Sequence, residues 1–478
     1  MSKFNKKTND LNETTNFAGG EAYKTSKEFE IISLMVTSFV KDKYYTCEDD
    51  EVQRLTKLVE EHPDKEFIGK CAIYVRNEFG NRSITHIVAG LIAKNVKGQK
   101  WTKRFYEKVF RRVDDITETL SFYLNTFGKP IPNSLKKGIC LALNKFDGYQ
   151  LGKYRAESKA LKLVDIINLV HYKPTTLNKE IINDLMTGKL KSTTTWESML
   201  SNAGNQEDKE KAKAEVWLKL LKEKKLGYFA LLRNLKNIKE QSTDEALEEA
   251  LWTLTDKKLI KNSLVLPFRY ATAYRRLKEV ENTQRILAEI DKAVTISLEN
   301  VPDFDGTSIV VIDKSGSMRG NPIIHASLFA SVLAKKLKCD VIEFGTDASY
   351  VNYNPNDSVM TIAEQLNEAN YGGTNFEMPF RIMNKKYDRI IILSDMQGWE
   401  KTDFFSTKSV KQAYNKYCRD FNAKPYLYSW DLQGYGTIQL PEDKILCLAG
   451  WSEKIFDLMK YLEQDKNIMI TKVKAITI

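Results

Sequence analysis

Ile309-Val310-Val311-Ile312-Asp313-Lys314-Ser315-Gly316-Ser317-Met318 is the stretch on which the fold turns. Four consecutive β-branched residues with no polar break suit a strand buried on both faces, and such strands belong to mainly parallel sheets covered by helices. The run stops in an Asp-x-Ser-x-Ser loop at the carboxyl end of the strand, where open α/β sheets bind ligands. Asn321 and Pro322 follow as an expected N-cap and first-turn proline for a helix over 322–337. The same alternation continues downstream. Apolar runs at 341–344, 389–393, 426–430 and 445–448 alternate with helical stretches at 361–369 and 406–420 and a last helix from Ser452. Residues 301–478 are therefore expected to form a doubly wound α/β domain.

Two further loops carry related chemistry. Tyr371-Gly372-Gly373-Thr374-Asn375 offers a hydroxyl after two glycines, and Ile391-Ile392-Leu393-Ser394-Asp395 ends another strand in a carboxylate. Together Asp313, Ser315, Ser317, Thr374 and Asp395 supply two carboxylates and three hydroxyls. Hard oxygen donors of low total charge, with room for water, suit an octahedral Mg2+ or the related Mn2+ better than zinc. One Asp-x-Ser-x-Ser is usually only a hydrogen-bonded turn; three such loops in order, each ending a strand, are what favour a cation. Lys314 and Met318 read as surface and packing residues. The same Asp at a strand end invites a phosphoryl-transfer reading, but Ser315 stands where a second Asp would be needed. The sequence also has no P-loop, no G-x-S-x-G elbow and no His placed to serve a nucleophile. A non-enzymatic protein is expected. The arrangement resembles the metal-ion-dependent adhesion site of von Willebrand factor A domains, over about residues 305–478.

Upstream, Pro302-Asp303-Phe304-Asp305-Gly306 marks a change of period. From about Thr25 to Asn300 apolar residues recur at helical spacing: Val52, Leu55, Leu58 and Val59 in 48–61; Ala246, Leu247, Ala250, Leu251 and Leu254 in 243–254; Ile286, Leu287, Ile290, Val294 and Leu298 in 285–299. Thr25 with Glu28, and Ser242 with Glu245, have capping-box spacing. More than a dozen short helices, broken at His62-Pro63-Asp64, Gly80-Asn81 and Lys173-Pro174, fit a stacked array of helix pairs better than one bundle, although no strict repeat period is present. The chain thus divides into 1–300, helical, and 301–478, α/β.

Charge follows the same division. The first 300 residues carry 52 Lys and Arg against 41 Asp and Glu, whereas 301–478 carry 21 against 22. The whole excess of +10 therefore belongs to the helical part, where a basic face would attract a polyanion by counterion release. Six cysteines without a C-x-x-C pair read as reduced core residues, and four scattered histidines exclude zinc-finger spacing. No apolar run is long enough to span a membrane and the N-terminus is polar, so a cytoplasmic location is expected.

Asn16-Phe17-Ala18-Gly19-Gly20, then the run from Ala72 to Arg82 (Ala-Ile-Tyr-Val-Arg-Asn-Glu-Phe-Gly-Asn-Arg), are similar to the opening of TROVE modules. Phe146-Asp147-Gly148-Tyr149-Gln150-Leu151-Gly152-Lys153-Tyr154-Arg155, Val170-His171-Tyr172-Lys173-Pro174, Leu231-Leu232-Arg233-Asn234-Leu235 and Leu266-Pro267-Phe268-Arg269 follow in the same order as in the Ro autoantigen family. With the A domain appended, the resemblance spans nearly the whole chain. It implies a monomeric ring of HEAT-like helical repeats closed by the A domain. It also implies that the ring binds small structured noncoding Y-like RNA and the single-stranded ends of misfolded RNA, in quality control or as a tether to a nuclease.

His171, Lys173, Lys153, Tyr154 and Arg155 lie in these matching segments and have the chemistry RNA needs, cations for phosphate and rings for unpaired bases. Lys136 and Lys137 join them. Arg76, Arg82, Arg233, Arg269, Arg275 and Arg276 are lesser candidates, and Arg76 and Arg233 have burial as the competing reading. The alternative function is a metal-dependent protein-interaction scaffold with the array as a platform.

Overall fold

The computed structural model describes residues 13–15, 21–24, 27–37, 48–155, 161–190, 194–263, 265–367, 372–396, 410–431, 437–438, 445–449, 456, 459–460, 463 and 468–478. Short helices succeed one another from Lys27–Thr37 to Gln284–Ser297, and a 3-10 turn, Leu298–Asn300, ends the series. Local chemistry starts many of them. Asp64 caps Lys65–Tyr74 by accepting from Phe67 N at 2.8 Å, and Asp147 and Gln150 form a reciprocal box at the head of Gly148–Lys153. The cap expected at Ser242 falls one residue later: Thr243 accepts from Ala246 N, and the helix runs Asp244–Leu254. Thr25 and the segment 16–20 lie outside the described residues. Helix Asn133–Leu143 lies so close to Thr102–Val109 that any side chain at Gly138 would run into Tyr106.

The sheet of the second part begins at Ser308–Asp313. Its order is Ala348–Tyr350, Asp340–Phe344, Ser308–Asp313, Arg389–Ser394, Tyr426–Asp431, Ile445–Ala449; the last five are parallel and the first is an antiparallel edge. The edge strand and the helix Glu377–Ile382 were not foreseen, being too short to show a period. Alternate residues of the central strands enter different cores, as the two-residue period of a strand requires. Val310, Ile312, Ile391 and Leu393 join a core continuous with the helical array, while Ile309, Val311, Ile390 and Ile392 face Phe376, Phe380, Tyr414 and Tyr417. Asn321 is the first residue of its helix rather than the cap; Gly320, at φ 86°, takes that place.

The two parts meet at both ends of the array. At the far end Phe268 stacks on Phe329 with centroids 3.9 Å apart, and Phe329 packs edge-on against Trp430 at 4.4 Å, with Phe456 completing the cluster. At the near end, helix Ile468–Lys474 lies on Lys65–Tyr74, Lys108 Nζ donates to the Thr477 carbonyl at 2.5 Å, and Lys27–Thr37 lies beside Ile445–Ala449. A small antiparallel sheet adds to this closure, with the hairpin Glu13–Thr15 and Glu21–Lys24 pairing with Thr437–Ile438. The helical array and the α/β domain thus close into a ring. No helix among the described residues is long and apolar enough to cross a membrane.

Candidate functional site

The adjacent strands Ser308–Asp313 and Arg389–Ser394 run parallel with Ile312 opposite Leu393, so their carboxyl ends bring Asp313 beside Ser394 and Asp395. Asp313 is fully buried. Its Oδ1 accepts from Ser315 N at 2.8 Å, and its Oδ2 accepts from Ser394 Oγ at 2.5 Å. Ser315 and Ser317 hydroxyls stand 3.4 Å apart. Gly316 N donates to the Gly372 carbonyl at 3.1 Å, which ties the first loop to the second just before the buried Thr374. Asp395 is buried immediately after Ser394. The described part of the three loops therefore converges; Tyr371 lies outside it.

No basic side chain among the described residues pairs with Asp313, and burial raises its carboxyl to about 6 despite the opposing hydrogen bonds from Ser315 and Ser394. A buried carboxylate short of countercharge, ringed by hydroxyls, fits a hard divalent cation. Among the described residues no three His, Cys, Asp or Glu side chains come together, so any ion here would depend on serine and threonine oxygens.

Lys314 corrects the reading of that residue as a surface group. It is fully buried, donating to the Leu366 carbonyl at 2.6 Å with Glu343 Oε2 3.5 Å away, and Leu366 also accepts from Ser327. Lys314 thereby straps the first loop to the helix Val359–Gln365 that leads into the second. Met318 is buried packing, as expected. Lys314→Met is expected to cost about 2 kcal/mol, below the usual loss on halving a buried pair because Glu343 stays a third exposed and can rehydrate. Chemical denaturation measures it, and an unchanged midpoint would show the strap to be idle.

On the helical part, the candidates separate into exposed and engaged groups. His171 ends helix Leu163–Val170 in the left-handed conformation, φ 54°, and both it and Lys173 are exposed. Lys137 is exposed and Lys136 half-buried on Asn133–Leu143, the helix that packs against Leu163–Val170 through Cys140 and Val170. Lys153, Tyr154 and Arg155 are only partly accessible. The Tyr154 ring has the Arg112 guanidinium 4.5 Å from its centroid and Lys153 at 5.7 Å, and Arg155 donates to the Leu190 carbonyl at 2.6 Å. Tyr149, which sequence reasoning did not single out, exposes 54% of its surface on the same short helix as Lys153; an aromatic directly after a capped helix start was its only signal.

Arg76 and Arg82 belong to a buried network instead. Asp115 accepts from Arg76 at 3.0 Å, from Arg82 at 3.1 Å and from the backbone N–H groups of Arg111 and Arg112, with His86 Nε2 at 2.9 Å. Burial alone would raise its carboxyl; the His86 hydrogen bond and the Arg76 charge outweigh that and hold it well below the usual range. Arg233, by contrast, is exposed, against its burial reading, because the apolar face of helix Tyr228–Gln241 is carried by Leu231, Leu232, Leu235 and Ile238. Arg269, Arg275 and Arg276 are exposed; burial, aided by the charge of Arg275, lowers the His325 imidazole of the α/β domain to about 4.

Residues 184–312 match the TROVE domain family. No curated protein matches the sequence. Among solved structures, the crystal structure of the Deinococcus radiodurans Ro (RSR) protein is similar over 94% of this chain and 99% of its own, with a TM-score of 0.61 at 16% identity. That likeness extends through both the helical ring and the α/β domain. The chain thus combines a match to the TROVE domain family over residues 184–312 with the overall fold of a bacterial Ro protein.

Proposed function

We propose that this is an RNA-binding protein of the Ro type, in which residues 1–300 hold a small structured Y-like RNA and residues 301–478 carry a metal-dependent docking site. The observation that carries this reading is the His171–Lys173 turn: both side chains are exposed at a helix end and make no hydrogen bond or ion pair among the described residues. The basic excess of the array supplies the long-range attraction. Lys137 and Lys136 extend the surface, and Lys153, Tyr154 and Arg155 contribute at its margin. Single-stranded ends of misfolded RNA are the second class of ligand, and quality control or nuclease tethering in the cytoplasm, by a monomeric ring, is the role these ligands suit.

Asp313, Ser315, Ser317, Thr374 and Asp395 would hold Mg2+ or Mn2+, directly or through water. The ion would supply an electrophilic position for a carboxylate of a protein partner such as a nuclease. Because the candidate ligands and the candidate RNA residues lie in different parts of the chain, removal of the metal should weaken partner capture more than RNA binding.

The test is affinity for a structured RNA measured in the full-length protein. Replacing both His171 and Lys173 with Ala is expected to weaken it roughly tenfold or more, one charge-assisted contact alone being worth about 1.5 kcal/mol, while the melting temperature stays put. A fall in stability with unchanged affinity would refute the assignment of these residues. If the wild type retains no RNA at low salt, the scaffold reading replaces the RNA one.

A further inference from the structure

Helix Asp244–Leu254 buries Ala246, Ala250, Leu251 and Leu254 and turns Trp252 the other way, leaving 79% of that residue's surface exposed. Among the described residues the indole makes no hydrogen bond and meets no other ring, so it adds little to the fold. It stands at the wall of an open cleft of about 540 Å3 between its own helix, the following Lys257–Ser263, and Gln284–Ser297. That volume is within the range of pockets that take a ligand or the side chains of a peptide.

The charges lining the cleft are unevenly satisfied. Arg285 binds both carboxylate oxygens of Glu248, Lys292 donates to Glu289 at 2.6 Å, and Asp256 accepts from Leu259 N at 2.9 Å. The Lys257 and Lys258 side chains are exposed and have no ion pair or hydrogen bond among the described residues. Both lie in the first turn of their helix, where a cation opposes the positive end of the helix dipole, so the fold gains nothing from their charge. The lining carries three carboxylates, Glu248, Asp256 and Glu289, against three cations, Arg285, Lys257 and Lys258. A nucleic acid therefore finds no net field here, whereas a peptide can set a carboxylate on each free lysine and an apolar side chain beside the indole. Tryptophan is also the residue most enriched, with tyrosine and arginine, at the energetic centres of protein interfaces.

We propose that Trp252 and its cleft form a docking site for a protein partner, which presents a segment combining apolar side chains with carboxylates that meet Lys257 and Lys258. The site is independent of the RNA reading and of the metal loops: it uses other residues and needs no divalent ion.

The experiment titrates full-length protein, in EDTA and without RNA, into a fluorescein-labelled synthetic peptide in which Leu and Glu recur at helical spacing. A peptide of the same pattern with Lys in place of Glu is the control. Saturable binding of the Leu–Glu peptide alone is expected. Trp252→Ala should weaken it on the order of thirtyfold, as truncation of a central interface tryptophan does, with the unfolding midpoint unchanged because the side chain is exposed. Joint replacement of Lys257 and Lys258 by Glu should weaken the Leu–Glu peptide and admit the Leu–Lys one. Equal affinity of wild type and Trp252→Ala, equal binding of the two peptides by wild type, or binding of neither would overturn the proposal. So would self-association in sedimentation that Trp252→Ala abolishes, which would assign the cleft to a second copy of this chain. Displacement of the bound peptide by an RNA hairpin would overturn it as well, assigning the cleft to nucleic acid.

Discussion

Asp115→Ala is expected to lower the free energy of unfolding by roughly 3–5 kcal/mol, the usual result of removing one partner from a buried ionic group. The carboxylate is completely buried and is the common acceptor for Arg76, Arg82, His86 and two backbone N–H groups, so its loss strands a buried guanidinium and leaves the turn before helix Val113–Phe127 without its cap. Asp115→Asn keeps an acceptor but not the charge, and its loss should be smaller. Because the folded-state pKa is depressed, the wild-type contribution is complete above the unfolded value of about 4 and is lost as the pH falls from there toward the folded value. Denaturant unfolding at pH 7 and at pH 3 should therefore separate wild type from Asp115→Asn more widely at neutral pH. Parallel curves at the two pH values would mean that the charge contributes nothing.

Asp313→Ala should reduce Mn2+ affinity on the order of 100-fold, since a charge-assisted contact in a dry site is worth up to about 3 kcal/mol. The wild type should gain melting temperature with added Mn2+, because an ion that binds only the folded state stabilises it by mass action. The variant should show no such gain. Without metal it should be nearly as stable as wild type, because the side chain removed is a buried carboxylate with no basic partner among the described residues. Titration followed by calorimetry reads the affinity directly, and equal binding by the two proteins would defeat the metal assignment. Ser315→Ala and Thr374→Ala should fall between them, each removing a neutral oxygen.

Much of this architecture is set by interactions between residues close in the chain. The apolar period marked helix 48–61 to the residue, and the β-branched runs ending in Asp313 and Asp395 located two adjacent strands and the end of the sheet at which their loops meet. Helical and strand periods are local, as is the reach of a capping side chain, so a linear reading recovers them to within a residue or so; Thr243 in place of Ser242, and Gly320 in place of Asn321, show the size of the slip. The exposure of His171 and Lys173 was likewise legible, because a proline stops the helix there whatever surrounds it. Other features depend on contacts between distant residues. Asp115 meets Arg76 across 39 positions, Lys314 meets Leu366 across 52, and Lys108 meets Thr477 across 369. A charged residue has the same local signature whether it ends in water or in a pocket that supplies its partners, which is why Lys314 read as surface and Arg233 as a candidate for burial. The pairing of the Glu13–Thr15 and Glu21–Lys24 hairpin with Thr437–Ile438 has the same character. Three short strands carry too few residues to announce themselves, and only closure of the ring brings the third within hydrogen-bonding distance of the first two.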